Sequence, residues 1–146
     1  MPVNDSAKGK TYEVFSYEVG KEKIREYAHV VGEDNPVYFD RDAAKAQGFR
    51  DIPVPPMFAV LYQWGAVAAP ALDPEVGMDL ASLLHGGQEF VWSEPVCSGD
   101  TISTEATITD IYQQGDKGFY VFEAVSRNQD GQEVTRGTWT NIVRGV

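Results

Sequence analysis

The chain has 146 residues, 42% of them hydrophobic and 23% charged, an ordinary balance for one globular domain that buries about 70% of its unfolded surface. Its formal net charge of −10 argues against nucleic acid as a partner, since phosphate contacts need a basic surface, and mildly against docking an acidic carrier protein unaided. Cys97 is the single cysteine, which excludes an intrachain disulfide and predicts a cytoplasmic protein.

From the N-terminus, residues 1–10 are polar and lack the apolar run of a signal peptide. They read as a flexible tail ahead of a single domain over residues 11–146. Thr11 to Tyr17 is rich in aromatic and β-branched residues and predicts a short extended piece. In Lys21 to Val31, the residues Ile24, Tyr27, Ala28 and Val31 recur at helical spacing and predict one apolar helix face, with Gly32 as its stop. Glu33 to Tyr38 is a turn around Asn35-Pro36. Asp40 then caps a short helix from Arg41 to Gln47, which Gly48 ends.

The most apolar stretch is Met57 to Ala69, in which Gln63 is the one strongly polar side chain. Pro53, Pro55 and Pro56 precede it and Pro70 follows, so its predicted ends are clear. A helix apolar on every face is expected to be buried all round. It falls short of the ~20 apolar residues that cross a bilayer, so no membrane span is expected.

Beyond a connection from Leu72 to Leu84 the pattern becomes that of strands. Gln88 to Trp92 is one. Thr101 to Tyr112 alternates, with Ile102, Ala106 and Ile108 on one face. Phe119 to Ser126 is apolar on both faces, as in a central strand, and Gln132 to Arg144 alternates less cleanly around Val134, Trp139, Ile142 and Val143. Gly115 and Asp130-Gly131 mark hairpin turns. Helices first and an antiparallel meander last define an α+β order. The simplest packing curls a sheet of long strands around a buried central helix, with an exposed edge that invites a second chain.

Two motifs in this frame carry a resemblance: Gly32-Glu33-Asp34-Asn35-Pro36-Val37-Tyr38 followed by Ala43-Ala44 and Gly48-Phe49, and Pro95-Val96 followed by Ser98-Gly99-Asp100. Together they resemble the MaoC-like hot-dog hydratases and dehydratases from about Tyr17 to Val143. The resemblance implies a hot-dog fold, a dimer, and substrates that are acyl thioesters of CoA or acyl carrier protein. Active members of the family carry Asp-x-Asn-Pro-x-His, whose Asp and His hold water and move a proton, and a backbone N–H at the start of the central helix that polarises the thioester carbonyl.

This chain departs from that pattern at three places. Glu33 stands in the Asp position and Tyr38 in the His position. Tyr is a poor base at neutral pH, titrating near ~10, and the longer Glu33 shifts its carboxylate by about an ångström. Pro56, which has no N–H, stands where the amide donor belongs. These departures are similar to those of the accessory subunit of two-chain (3R)-hydroxyacyl-thioester dehydratases. In such enzymes one hot-dog chain brings the Asp and His and its partner lines the acyl channel. The resemblance then implies a substrate-binding role for Asn35, Pro56, Met57, Phe58, Leu61 and Tyr62, and no confident catalytic residue.

His85, in Leu84-His85-Gly86-Gly87, is the candidate replacement base and otherwise reads as a turn or surface histidine. His29 reads as a surface residue, and Cys97 as a small buried thiol. No metal-ligand spacing, phosphate loop or nucleotide fingerprint is present, so neither metal nor cofactor is expected. Three other readings stay open: a self-sufficient hydratase with a site rebuilt from Glu33, Tyr38 or His85, a non-catalytic homodimer that binds acyl or other apolar ligands, and a thioesterase on the same fold.

Overall fold

In the computed structural model, which describes residues 2–146, the element order is β1 (Phe15–Glu18), α1 (Lys21–Val30), α2 (Arg41–Ala46), α3 (Ala59–Leu72), β2 (Leu83–Trp92), β3 (Thr101–Gln114), β4 (Lys117–Arg127) and β5 (Glu133–Arg144). Short 3-10 turns precede α2, α3 and β2 at Pro36–Tyr38, Pro56–Phe58 and Leu80–Ser82.

Local chemistry explains the helix ends. Asp40 caps α2 by accepting from the Asp42 and Ala43 N–H groups, and the Asn35 side-chain oxygen accepts from Val37 N–H to open the first 3-10 turn. Gly32 and Gly48 adopt positive φ, +78° and +92°, the left-handed geometry that turns the chain at little cost only for glycine. On α1, Ile24 and Ala28 are fully buried. Val31, expected on the same face, is exposed, because the helix stops at Val30 and the chain is already turning away.

The five strands form one antiparallel sheet in the order β1-β3-β4-β5-β2. The stretch that reads as apolar on both faces is indeed the middle strand, β4. On β3, Ile102, Ala106 and Ile108 share the buried face. A bulge between Ile108 and Asp110 then reverses the alternation and puts Ile111 on that face instead.

Helix α3 lies across the concave face. Its sheet-facing side carries Ala59, Tyr62, Gln63, Ala66, Val67 and Pro70. The expectation that this helix is buried all round is corrected: Trp64 is 60% exposed and Leu72 65%, because the sheet ends at β2 and leaves one flank of the helix uncovered. Pro70 also fails to end the helix. It sits in the last turn, where its missing N–H forfeits a single bond, and α3 runs on to Leu72.

Two further corrections concern the ends of elements. Strand β2 begins at Leu83, not Gln88, and takes His85 into the sheet, with a bulge between His85 and Gly87. The N-terminal segment, expected to be a flexible tail, packs on the sheet. Gly9 N–H donates to Ile108 O at 2.7 Å and Ile108 N–H to Lys10 O at 2.9 Å, while Ala7 is buried. Lys10 reaches Asp73 and Glu75 at 2.6 and 2.7 Å, and Tyr12 OH donates to Asp73 at 2.6 Å. These contacts pin the segment to the end of α3.

Candidate functional site

The loop from Gly48 to Pro56 leads into α3 and is held against the sheet. Val54 N–H donates to Val96 O at 2.9 Å and Ser98 N–H to Ile52 O at 2.8 Å. Arg50 pairs with the buried Asp100 through both guanidinium nitrogens. Burial opposes the Asp100 charge, but Arg50, the Cys97 N–H and Gln129 outweigh it and hold the carboxyl below its usual range. The Pro95-Val96 and Ser98-Gly99-Asp100 motif is thereby a brace that positions the start of the central helix.

Beside this brace a pocket of about 360 Å³ opens between the start of α3 and the ends of β2 and β5. Tyr38, Phe49, Pro56, Tyr62, Trp92 and Thr135 are among its walls. Tyr38 arrives at the end of the Pro36–Tyr38 turn. Trp92, the last residue of β2, donates its indole N–H to the Pro56 carbonyl at 2.9 Å, which fixes the wall and occupies that oxygen. Deeper in, the hydroxyls of Tyr62 and Thr135 lie 2.5 Å apart.

Of the residues singled out from sequence, Tyr38, Pro56 and Tyr62 come together in this pocket. Glu33 lies close by: burial first, and the Glu33 carboxylate second, raise the Tyr38 hydroxyl above its ordinary range. Burial likewise pushes Tyr62 up to about 12, against the opposing pull of its hydrogen bond to Thr135. Both phenols therefore stay protonated at neutral pH and do not serve as bases there.

The remaining candidates lie elsewhere. Asn35 spends its side chain capping the turn. Met57 points outward and Leu61 is half-buried. Phe58 does not line this pocket. It is fully buried in edge-on contact with Tyr17 and Tyr27, ring centroids 6.2 and 5.4 Å away, because the 3-10 turn rotates it under α1. His85 does not reach this pocket either. It stacks on Trp139 at 5.7 Å and shares a 3.0 Å hydrogen bond with Gly87 O. Six residues of β2 separate it from Trp92, roughly 20 Å of strand. Sequence reasoning missed Thr135 and Trp92. Thr135 shares the parity of Trp139 on one strand, and that parity was the available signal.

The described residues contain no cluster of three His, Cys, Asp or Glu side chains suited to a metal ion, and no helix is long and apolar enough to cross a membrane.

A central helix cradled by one curled antiparallel sheet, with a pocket at the helix start, is the hot-dog fold of the MaoC-like hydratases and dehydratases. The family described as "FAS1-like, dehydratase domain region" matches residues 6–136, and the chain belongs to that family. Among its relatives, a UPF0336 protein of Saccharopolyspora erythraea is 36% identical over 147 residues, spanning 100% of this chain and 94% of the relative. Among solved structures, the C-terminally truncated HadBC (3R-hydroxyacyl-ACP dehydratase) complex from Mycobacterium tuberculosis matches with a TM-score of 0.80 and 24% identity, over 94% of this chain and 97% of the other. A MaoC-like dehydratase matches with a TM-score of 0.86 and 22% identity, over 97% of this chain and 43% of the other.

Proposed function

We propose that this chain is the acyl-thioester-binding subunit of a (3R)-hydroxyacyl-thioester dehydratase, which in the reverse direction is an enoyl-thioester hydratase, and that a second hot-dog chain supplies the acid–base pair. The observation that carries this reading is the composition of the pocket. Its walls are mostly apolar side chains and hydroxyls, with the exposed carboxylate of Glu94 among them; neither histidine lines it, and position 56, which opens the 3-10 turn before α3, is a proline without an N–H. Such a pocket suits an acyl chain but holds no imidazole to move a proton.

The uncovered flank supports the partner. Strand β2 is a sheet edge ten residues long with neither Lys nor Pro along it, the kind of edge that pairs with another chain. Exposed Leu84, Val91 and Trp92 lie on it, and exposed Trp64 and Leu72 project from the neighbouring helix. Trp92 belongs to both this edge and the pocket, so a chain docked there reaches the site. The dehydratase with the matching fold is itself described as a complex.

The test is crotonyl-CoA hydration by the purified chain, alone and mixed with a hot-dog protein that keeps Asp-x-Asn-Pro-x-His. Turnover in the mixture, with none from either this chain alone or its dilution, is expected. Strong activity from the lone chain overturns the reading.

A further inference from the structure

Tyr62 and Thr135 are 1% and 0% exposed, yet both line the pocket. Each hydroxyl carries one proton and two lone pairs. The single contact between them, 2.5 Å long, consumes one proton, whichever residue donates it. The other O–H has no acceptor among the described residues. A buried donor left unused in this way is costly, and the two residues that hold it line a cavity whose other buried walls, Pro53 and Val96, are apolar.

The backbone at position 56 cannot take over the role of that donor. Pro56 has no N–H, and its carbonyl already accepts from Trp92. Tyr38 is only half-buried and stands nearer solvent. Burial raises the Tyr62 hydroxyl to about 12, so the pair keeps its unused proton at neutral pH.

We infer that the Tyr62–Thr135 hydroxyl pair is a specificity-determining donor, which hydrogen-bonds an oxygen atom of the bound acyl chain where position 56 provides no backbone amide. This rests on the acyl-binding reading of the pocket. The chemistry required of the ligand is an acceptor oxygen on an otherwise apolar chain. Two such oxygens exist on a 3-hydroxyacyl thioester, the carbonyl and the 3-hydroxyl, and each defines one arm of the test. The pair binds and orients; it abstracts no proton, because neither hydroxyl ionises near neutrality.

The experiment titrates three N-acetylcysteamine conjugates into the full chain by calorimetry: the S-decyl thioether, the decanoyl thioester and the (3R)-3-hydroxydecanoyl thioester. They carry no chain oxygen, the carbonyl alone, and both oxygens. In the wild-type protein one step of this series is expected to gain about fivefold in affinity, the worth of one neutral hydrogen bond. A gain at the first step assigns the carbonyl, and a gain at the second assigns the hydroxyl. The Tyr62→Phe/Thr135→Val double variant removes both hydroxyls together, so neither is left buried without a partner, and it should bind all three ligands alike. Equal binding of the series by the wild type, or an unchanged series in a folded double variant, overturns the inference while leaving the acyl pocket standing. Failure of all three ligands to bind overturns the acyl-binding reading and the inference with it. The wild-type series stands as a test by itself should the double variant not fold.

Discussion

Proline at position 56 has two effects at once. Its ring starts the 3-10 turn that leads into α3, and its missing N–H removes the donor that the resemblance places there. Tyr38, a turn away from Glu33, supplies a hydroxyl whose proton stays in place at neutral pH. If these residues are the reason that the lone chain lacks acid–base chemistry, restoring the family pattern should restore some of it. The Glu33→Asp/Tyr38→His/Pro56→Gly variant is expected to hydrate crotonyl-CoA at least about a hundredfold faster than the wild-type chain, the lower end of what a positioned general base contributes. A variant that folds, assembles as the wild type does and remains inert would place the deficit elsewhere in the site.

At the scale of elements, the register of α3 against the sheet is set by one buried amide. Gln63 accepts from the Trp139 indole N–H at 2.9 Å and donates to Ala124 O and Ser126 Oγ at 3.1 and 3.0 Å. Both its donors and its carbonyl are satisfied inside the core, which is the condition for tolerating a polar group there. The amide fits because position 137 has no side chain: a Cβ at Gly137 would overlap Gln63 Oε1 and crowd the Phe90 ring. Gly137→Ala is therefore expected to cost roughly 1–3 kcal/mol in urea denaturation, as overpacking does. A neutral outcome would mean that α3 slides freely on the sheet.

The N-terminal arm is joined to the other end of the same helix by Lys10, Tyr12 and Asp73. Lys10 first, then Tyr12 and the Glu75 N–H, hold the Asp73 carboxyl down at about 2. An aspartate in the unfolded chain titrates near ~3.9. A native value below the unfolded one means that the contribution is whole above about pH 5 and fades as pH falls toward about 2. Asp73→Asn is expected to melt at a lower temperature than the wild type at neutral pH, with the gap closing between about pH 4 and pH 2 in scanning calorimetry. A gap that persists in acid would assign the loss to packing rather than to charge.

For the whole molecule, the decisive feature is what the sheet leaves open. Trp64 and Leu72 on α3 and Leu84, Val91 and Trp92 on β2 are all exposed, and β2 is an edge strand whose outer backbone groups have no neighbouring strand. Specific, stable assemblies bury about 1,200–2,000 Å², and a ten-residue edge together with a helix flank is of a size to reach that. Val91→Lys places a charge on this edge, as natural edge strands do to block pairing. It is expected to prevent association with the catalytic chain in analytical ultracentrifugation while leaving the thermal unfolding of the isolated chain nearly unchanged. Association undiminished by that charge would move the interface to another face.

What the amino-acid order determined by itself was local. The Asp40 cap, the glycine turns at 32 and 48, the meander of β3 to β5 and the α+β order follow from side-chain chemistry and periodicity within a few residues, where few conformations compete. The substitutions at Glu33, Tyr38 and Pro56 were also plain, because they sit in a recognisable local frame. Tertiary structure decided the rest. A bulge of one residue turns His85 toward Trp139 at the far end of β2, the turn before α3 rotates Phe58 into the core, and sheet order brings Thr135 to Tyr62 across 73 positions. The N-terminal segment, too polar to predict its own folding, is ordered by partners more than sixty residues away. Such contacts depend on strand order and on register, and in a sheet a shift of one residue exchanges the buried face for the exposed one.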